Sequence, residues 1–332
     1  MHCVIAFAAP LSAPGREALA RLVEGNGLPR LRALLALGAP ANAELDAEAG
    51  AGPAADPSAE LDAELDEWSF TPPHERVLAR ALGWPASDGL VPLAARQARA
   101  DGIEVGERAW ALLTPAHWRL GTEQVSLADP AALMLDEDAS RALFDAVREL
   151  FTSEGFILAW GAATRWYAAH DDFAALPTAS LDRVIGRNVD RWLGQAPVAR
   201  RVRRLQAEVQ MLLHTHPINA DREARGLLAV NSFWLSGTGV ARPERGPAPA
   251  LETRLRAPAL AEDWAAWVKA WDTLDAGPVA ELLARARRGE PWQLTLCGER
   301  RAATWQPAPR GWLAGLRARL ARPDLRTPLE AL

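Results

Sequence analysis

The sequence predicts an α/β layer fold, and three observations carry that prediction. Short apolar runs at residues 3–9, 156–160, 230–235 and 293–297 have the length and composition of strands. Amphipathic stretches with helical spacing lie between them. The composition, 49% hydrophobic and 24% charged over 332 residues, supplies a core for one large domain or two modest ones.

Taken in order, Cys3-Val4-Ile5-Ala6-Phe7-Ala8-Ala9 is unbroken and apolar, as a strand buried on both faces of a mainly parallel sheet should be. The stretch from Cys3 to Ala13 contains Pro10, is too short to span a bilayer and has no basic leader. A buried strand is therefore expected there rather than a signal peptide, in a soluble cytoplasmic protein with no membrane partner. A helix is expected over 28–37, with Pro29 in its first turn, Leu28, Leu31, Leu34 and Leu35 as its apolar stripe, and Gly38 ending it. Residues 41–67 hold nine acidic residues and no basic one, so a disordered acidic loop is expected. Thr71-Pro72-Pro73-His74 opens a helix to Leu82, closed by Gly83.

Residues 138–150 place Leu143, Phe144, Val147 and Leu150 on one helical face, and Phe156–Trp160 follows as a strand. The helix expected over 197–213 has Val198, Val202, Leu205, Val209 and Leu212 or Leu213 on one face and Arg200, Arg201, Arg203 and Arg204 on the other. Val230–Leu235 reads as a strand ending in the turn Ser236-Gly237-Thr238-Gly239. Helices near 261–274 and 278–288, a strand at Gln293–Cys297 and an arginine-rich helix near 310–321 complete the chain, which shows no internal repeat. Trp264, Trp267 and Trp271 share one helix face and suit a core, with an aromatic partner-binding surface as the other reading.

The net charge is −5, with 36 arginines and the single lysine Lys269. Without the acidic segment the rest of the chain carries +4. The arginine runs at 200–204, 285–288, 300–301 and 317–322 read first as solvated helix faces, so nucleic acid is not the expected partner. Two cysteines, Cys3 and Cys297, exclude a disulfide scaffold and a cysteine-rich metal site. A Ser-His-Asp hydrolase lacks its Gly-x-Ser-x-Gly elbow.

The densest polar segment is His214-Thr215-His216-Pro217-Ile218-Asn219-Ala220-Asp221-Arg222-Glu223-Ala224-Arg225-Gly226, followed by Asn231-Ser232-Phe233-Trp234-Leu235-Ser236-Gly237-Thr238-Gly239. In residue type, spacing and order this pattern resembles the archaeal-type cofactor-independent phosphoglycerate mutases of the alkaline-phosphatase-like superfamily. Leu28-Pro29-Arg30-Leu31 is similar to that superfamily's early helix start, residues 110–165 to the mutases' middle segment, and 271–298 to their late helix–strand unit. The whole chain resembles the bacterial RpfE-type regulatory proteins. The resemblance implies a reduced alkaline-phosphatase-like core at 1–84 and 231–332, with a smaller α/β subdomain inserted at 85–230.

It also implies a two-cation centre, in which Asp and His ligands activate a hydroxyl nucleophile. Here the residues depart from the pattern. Ala8-Ala9-Pro10-Leu11-Ser12 stands where the family places Asp-Gly, and Cys297-Gly298-Glu299-Arg300-Arg301 where it places Asp-His. All six histidines (His2, His74, His117, His170, His214, His216) lie in the first 216 residues. The expectation is a pseudoenzyme with no catalytic residues, no metal ligands and no resident cofactor.

On the substrate side, Arg222 and Arg225 flanked by Asn219 and Asn231, with Arg183 and Arg187 nearby and the helix start after Pro217, form the expected site for a small phosphorylated or carboxylated ligand. The same residues read alternatively as turn staples and ion pairs with Asp221 or Glu223, and Ser180 as the cap of a helix from Leu181. His214 and His216 alternate along an extended segment and so point apart. Three functions remain at this point. The first is a catalytically degenerate mutase-like protein that regulates through a ligand or a protein partner. The second is an active mutase or phosphatase, drawing on Asp129, Asp136, Asp182, Asp272 and Asp275. The third is a partner- or nucleic-acid-binding module using arginine and tryptophan surfaces.

Overall fold

The computed structural model describes residues 1–41, 68–121, 124–194, 196–308 and 324–332. The expected acidic loop over 41–67, save its first residue, and the expected helix near 310–321 lie outside the described residues. The chain is mixed α/β and divides into two compact units, the second inserted into the first. The first comprises residues 1–67, 72–85 and 246–332; the second comprises 68–71 and 86–245.

The first unit is built on a five-stranded sheet in the order Gly38–Pro40, Ala302–Pro307, Gln293–Cys297, His2–Ile5, Ala250–Glu252. The His2–Ile5 strand, fourth in that order, runs parallel to both neighbours, and the other two pairings are antiparallel. The strand is shorter than the apolar run because Phe7 takes a left-handed conformation, φ 59°, and turns the chain out of the sheet. Leu31, Leu34 and Leu35 of the Pro29–Ala36 helix are buried in the core with Leu294 and Leu296. Leu28 falls just outside that helix, also left-handed, and Gly38 opens a strand instead of only ending the helix.

Trp264–Leu274 forms a helix capped by Asp263, which accepts from the Ala266 N–H at 2.9 Å. Trp267 and Trp271 are fully buried and stack edge-on, ring centroids 6.1 Å apart at 83°, which makes this tryptophan face a core face. A π turn at Asp275–Val279 joins that helix to Ala280–Arg287. Pro278 sits inside the turn and has no N–H to give the ordinary helical ladder, which accounts for the wider hydrogen-bond spacing.

The second unit holds a four-stranded antiparallel sheet, in the order Ile157–Ala162, Arg165–Ala169, Ala109–Ala116, Ser232–Val240, and a two-stranded ribbon, Trp118–Leu120 with Val125–Leu127. Helices Glu137–Thr152 and Pro197–His214 share a core with Ala109, Ala111, Leu113, Trp166, Ala168 and Phe233. The alternate residues Trp110, Tyr167 and Ala169 form another core with Ala94, Ala95 and Ala98 of the Leu93–Ala100 helix. The period-2 alternation of strands thus divides between two covered faces. Ser232–Val240 pairs with Ala109–Ala116, so the boundary expected after Val230 falls after Arg245.

Ser236-Gly237-Thr238-Gly239 continues this strand and is not a turn. Gly237 has φ +65°, and a Cβ there would lie 2.9 Å from the Ala94 backbone nitrogen. Glycine is required because the Leu93–Ala100 helix begins against the strand. The Thr238 hydroxyl donates to the Leu176 carbonyl at 2.6 Å, which makes the segment a packing joint.

Candidate functional site

In open α/β sheets ligands bind outside the carboxyl ends of the strands. In the first unit that edge follows Ile5 and Cys297. The Ala6 N–H donates to the Glu252 carbonyl (3.1 Å) and the Ala8 N–H to the Cys297 carbonyl (2.7 Å), so the backbone folds over the strand ends. The Phe7 ring lies against His74, centroids 5.6 Å apart, and the Phe7 carbonyl accepts from Trp267 Nε1 at 3.0 Å. Glu299, the carboxylate of the late strand's exit, accepts the Leu11 N–H at 2.9 Å. The Arg300 carbonyl accepts from Arg76 Nη2 at 3.1 Å. Burial pushes the Cys297 thiol upward and Cys3 to about 12, so both are inert buried thiols at neutral pH.

The residues at this edge do not fit two divalent cations, which need several carboxylates and imidazoles converging. The aspartates weighed for an active enzyme are placed elsewhere. Asp129 accepts from Ala131 N–H (2.9 Å) and Asp136 from Ala139 N–H (2.8 Å), each starting a helix. Asp275 is buried and accepts from Leu31 N–H at 2.7 Å, closing the start of the Pro29–Ala36 helix. Asp272 is exposed on its helix, and Asp182 lies in the first turn of Leu181–Val184, which Ser180 caps. Among the described residues no three His, Cys, Asp or Glu side chains form a metal-binding group.

The residues expected to hold an anion lie in the second unit, and most are committed to the chain itself. Asn219 is buried; its Nδ2 donates to the Leu213 and Val230 carbonyls, both at 2.8 Å, and its Oδ1 accepts the Val230 N–H at 2.9 Å. It ties the end of the Pro197–His214 helix to the approach of the Ser232–Val240 strand. Asn231 accepts the Trp118 N–H (2.7 Å) and donates to the Trp118 carbonyl (2.9 Å), extending the ribbon as a side-chain bridge.

Arg222 is buried and donates to the Leu228 carbonyl at 3.0 Å and to the Leu133 carbonyl. Burial lowers its pKa, with nearby Asp136 opposing and Arg225 reinforcing the shift. Arg225 is exposed at the end of the Pro217–Ala224 helix. Arg183 is buried and donates to Ser69 Oγ at 2.7 Å, while Arg187 is half-buried. The expected cradle therefore resolves into two staples, two buried arginines held by different partners, one half-buried arginine and one exposed arginine.

The histidines depart from the extended segment expected of them. His214 is the last residue of one helix, and His216 caps the next by accepting the Ile218 N–H at Nδ1, 3.3 Å. That contact occupies a donor at the helix start offered to an anion. Arg201 and Arg204, from the run read first as a solvated helix face, pair with Glu154. In the first unit Arg285 and Arg288 both pair with Glu290.

A polar cluster that the sequence reading passed over joins Asp101, Arg165 and Tyr167. Arg165 donates twice to Asp101, both at 2.9 Å, and the Tyr167 hydroxyl donates to Asp101 Oδ2 at 2.6 Å. The Arg165 hydrogen bonds hold Asp101 below the ordinary carboxylate range. Burial first, then the Asp101 carboxylate, pushes Tyr167 well above a normal phenol. The signal available in sequence was only Arg165 and Tyr167 at i, i+2 on a strand, which share a face. Their partner 64 residues earlier leaves no local mark.

No family model matches the chain, and neither does any curated protein. Several solved structures are similar to it, among them the following two. One is the cofactor-independent phosphoglycerate mutase from Thermoplasma acidophilum, at 14% identity and TM-score 0.34, covering 93% of this chain and 90% of that one. The other is the PH0037 protein from Pyrococcus horikoshii, at 12% identity and TM-score 0.45, covering 92% and 87%.

Proposed function

We propose that this chain is a phosphoglycerate-mutase-like protein, with an alkaline-phosphatase-like core, that has lost metal-dependent phosphoryl transfer and serves a regulatory or ligand-binding role like that of the RpfE-type proteins. The observation that carries the reading is the edge beyond Ile5 and Cys297. Phe7, Ala8, Ala9 and Pro10 leave the first strand there, and the Glu299 carboxylate is bound to the Leu11 N–H. Phosphoryl transfer in a two-cation site depends on charge held at the reacting oxygens. The motif His216-Pro217-Ile218-Asn219 through Gly239 supports descent from the mutase pattern, and its residues serve here as staples and helix starts. A phosphorylated or carboxylated ligand, on this reading, meets exposed Arg225 rather than a closed cradle.

The test is metal content and turnover of the full chain. After incubation with Mn²⁺ or Zn²⁺ and desalting, the protein is expected to retain no stoichiometric ion and to convert no 3-phosphoglycerate above the protein-free rate. Metal-dependent turnover abolished by Asp182→Asn or Asp272→Asn overturns the reading in favour of an active mutase or phosphatase.

A further inference from the structure

We propose that the strand Ile157–Ala162, at one edge of the second unit's sheet, pairs antiparallel with the same strand of a second copy, making a reversible two-fold dimer. The strand is outermost in its sheet, with only Arg165–Ala169 beside it. Ile157-Leu158-Ala159-Trp160-Gly161-Ala162 contains no charge and no proline, and Ile157 is 46% exposed. Exposed edges are ordinarily blunted by charge, proline, shortness or a cover. The other edges of the two larger sheets carry such a device. Gly38–Pro40 has three residues and ends in proline, and Ala250–Glu252 has three and ends in a carboxylate. On the far side of the same sheet, Gln206 Nε2 donates to the Phe233 carbonyl at 3.1 Å, and the Thr238 N–H donates to Thr178 Oγ1 at 3.4 Å. Side chains thus meet the Ser232–Val240 edge.

The register gives the direction of the free groups. The His170 N–H donates to the Ala109 carbonyl at 3.0 Å, so the alternate residues Ala168 and Trp166 also bond toward Ala109–Ala116. Tyr167 and Ala169 then bond toward Ala159 and Ile157, which lie opposite them. The N–H and C=O groups of Leu158 and Trp160 are left pointing outward. Among the described residues no backbone group from outside the sheet bonds to them. Only the register centred on Ala159 joins both outward residues of each copy, with Leu158 opposite Trp160. Every outward N–H then meets a carbonyl, Ala159 faces its counterpart, and Ile157 faces Gly161, which has no side chain to compete. The irregularity between Trp160 and Ala162 falls at the end of this match.

The neighbouring helix favours a second copy over another protein. Arg141 of Glu137–Thr152 lies over the Trp160 ring, 3.6 Å from its centroid, so this helix flanks the edge. Glu137, Arg141, Asp145 and Arg148 recur at helical spacing on its exposed side with alternating charge. An alternating row is complementary to itself when reversed, and an antiparallel two-fold reverses it. A short edge and one helix side make a small interface, so the dimer is weak and depends on concentration. This inference does not rest on the loss of the metal centre and stands whichever way the turnover measurement falls.

The experiment is sedimentation equilibrium of the full chain over rising concentration, with a monomer–dimer equilibrium expected. Ile157→Lys is expected to weaken the dimer at least about tenfold while leaving the unfolding midpoint of the dilute protein in place. Ala159→Cys is expected to cross-link between copies with oxidised glutathione. Residues facing each other in a non-hydrogen-bonded antiparallel pair have Cα atoms about 4.5 Å apart, within disulfide reach. Ile157→Cys is not expected to do so, because its two copies lie at least about 13 Å apart along the strands. Cys3 and Cys297 are buried and do not confuse the result. A mass that stays monomeric up to about 1 mM overturns the proposal and leaves the edge to an extended peptide of another protein. A dimer that Ile157→Lys leaves unchanged, or one in which Ala159→Cys fails to cross-link, overturns it as well. Sedimentation of the unaltered chain decides the matter even where a variant fails to fold.

Discussion

Where a side chain closes a helix start in the second unit, it belongs to the residue just before the helix: Asp136 accepts the Ala139 N–H and His216 the Ile218 N–H, whereas Leu93–Ala100 and Pro197–His214 have no side-chain cap. In the first unit Ser12 and Asp263 act in the same local way, but the Pro29–Ala36 helix takes its acceptor from Asp275, 244 residues beyond Leu31. The chain path explains the contrast. The second unit is nearly one continuous segment, whereas the first is assembled from three. A carboxylate used for closure across such a distance is bound by backbone donors, as Glu299 also is. The difference teaches that counting acidic residues says little about a site until their hydrogen bonds have been assigned.

The strongest way to break the contrast is Asp275→Ala. It leaves the buried Leu31 N–H, and the Arg30 N–H at 3.3 Å, without their acceptor. The expected loss is about 3 kcal/mol in urea unfolding, with faster hydrogen exchange at Leu31. A loss no larger than that of a local cap would erase the distinction between the units.

Asp101→Asn comes next, with a loss of about 2 kcal/mol at neutral pH as two charge-assisted bonds to Arg165 weaken. Because the folded Asp101 titrates below its unfolded value, its contribution is complete above the unfolded pKa, about 4. It drains away as pH falls through the folded pKa. The stability difference between the parent and Asp101→Asn should therefore shrink as pH drops below about 4. A difference that instead grew in acid would contradict the assignment.

The smallest effect belongs to Asp136→Ala, about 1 kcal/mol for a lost local cap. Serine or asparagine at 136 should restore most of it, because either supplies an oxygen to the Ala139 N–H. Thermal unfolding of the three variants side by side sharpens the comparison.

Local chemistry made much of the second unit readable. Helix Glu137–Thr152 agrees with its expected range within two residues, and Pro197–His214 within one, since capping or proline starts and apolar stripes are written in adjacent residues. The strands Ala109–Ala116 and Arg165–Ala169 escaped notice because Thr114 and Pro115 interrupt the first apolar run and the second is only five residues long and opens on Arg165. Of Leu212 and Leu213, the two alternatives for the buried face, Leu213 is the buried one, whereas Gly237 and Gly239, read as a turn, lie within a strand. Residue type alone does not distinguish a glycine that bends the chain from one that admits a neighbouring helix.

The candidate site was legible in its residue types and not in its partners. That Asn219, Arg222 and Asn231 matter could be read from their spacing; that they face carbonyls of Leu213, Leu228 and Trp118 could not. By itself the sequence determined the α/β class, the principal helices, the mutase-like motif and the confinement of every histidine to the first 216 residues. Tertiary structure decided the rest: which acids close helices, which arginines are buried, and that Ile157–Ala162 lies at a sheet edge. The physical reason is range. Propensity and periodicity act over a few neighbouring residues, whereas a hydrogen bond satisfies whatever atom folding brings within about 3 Å.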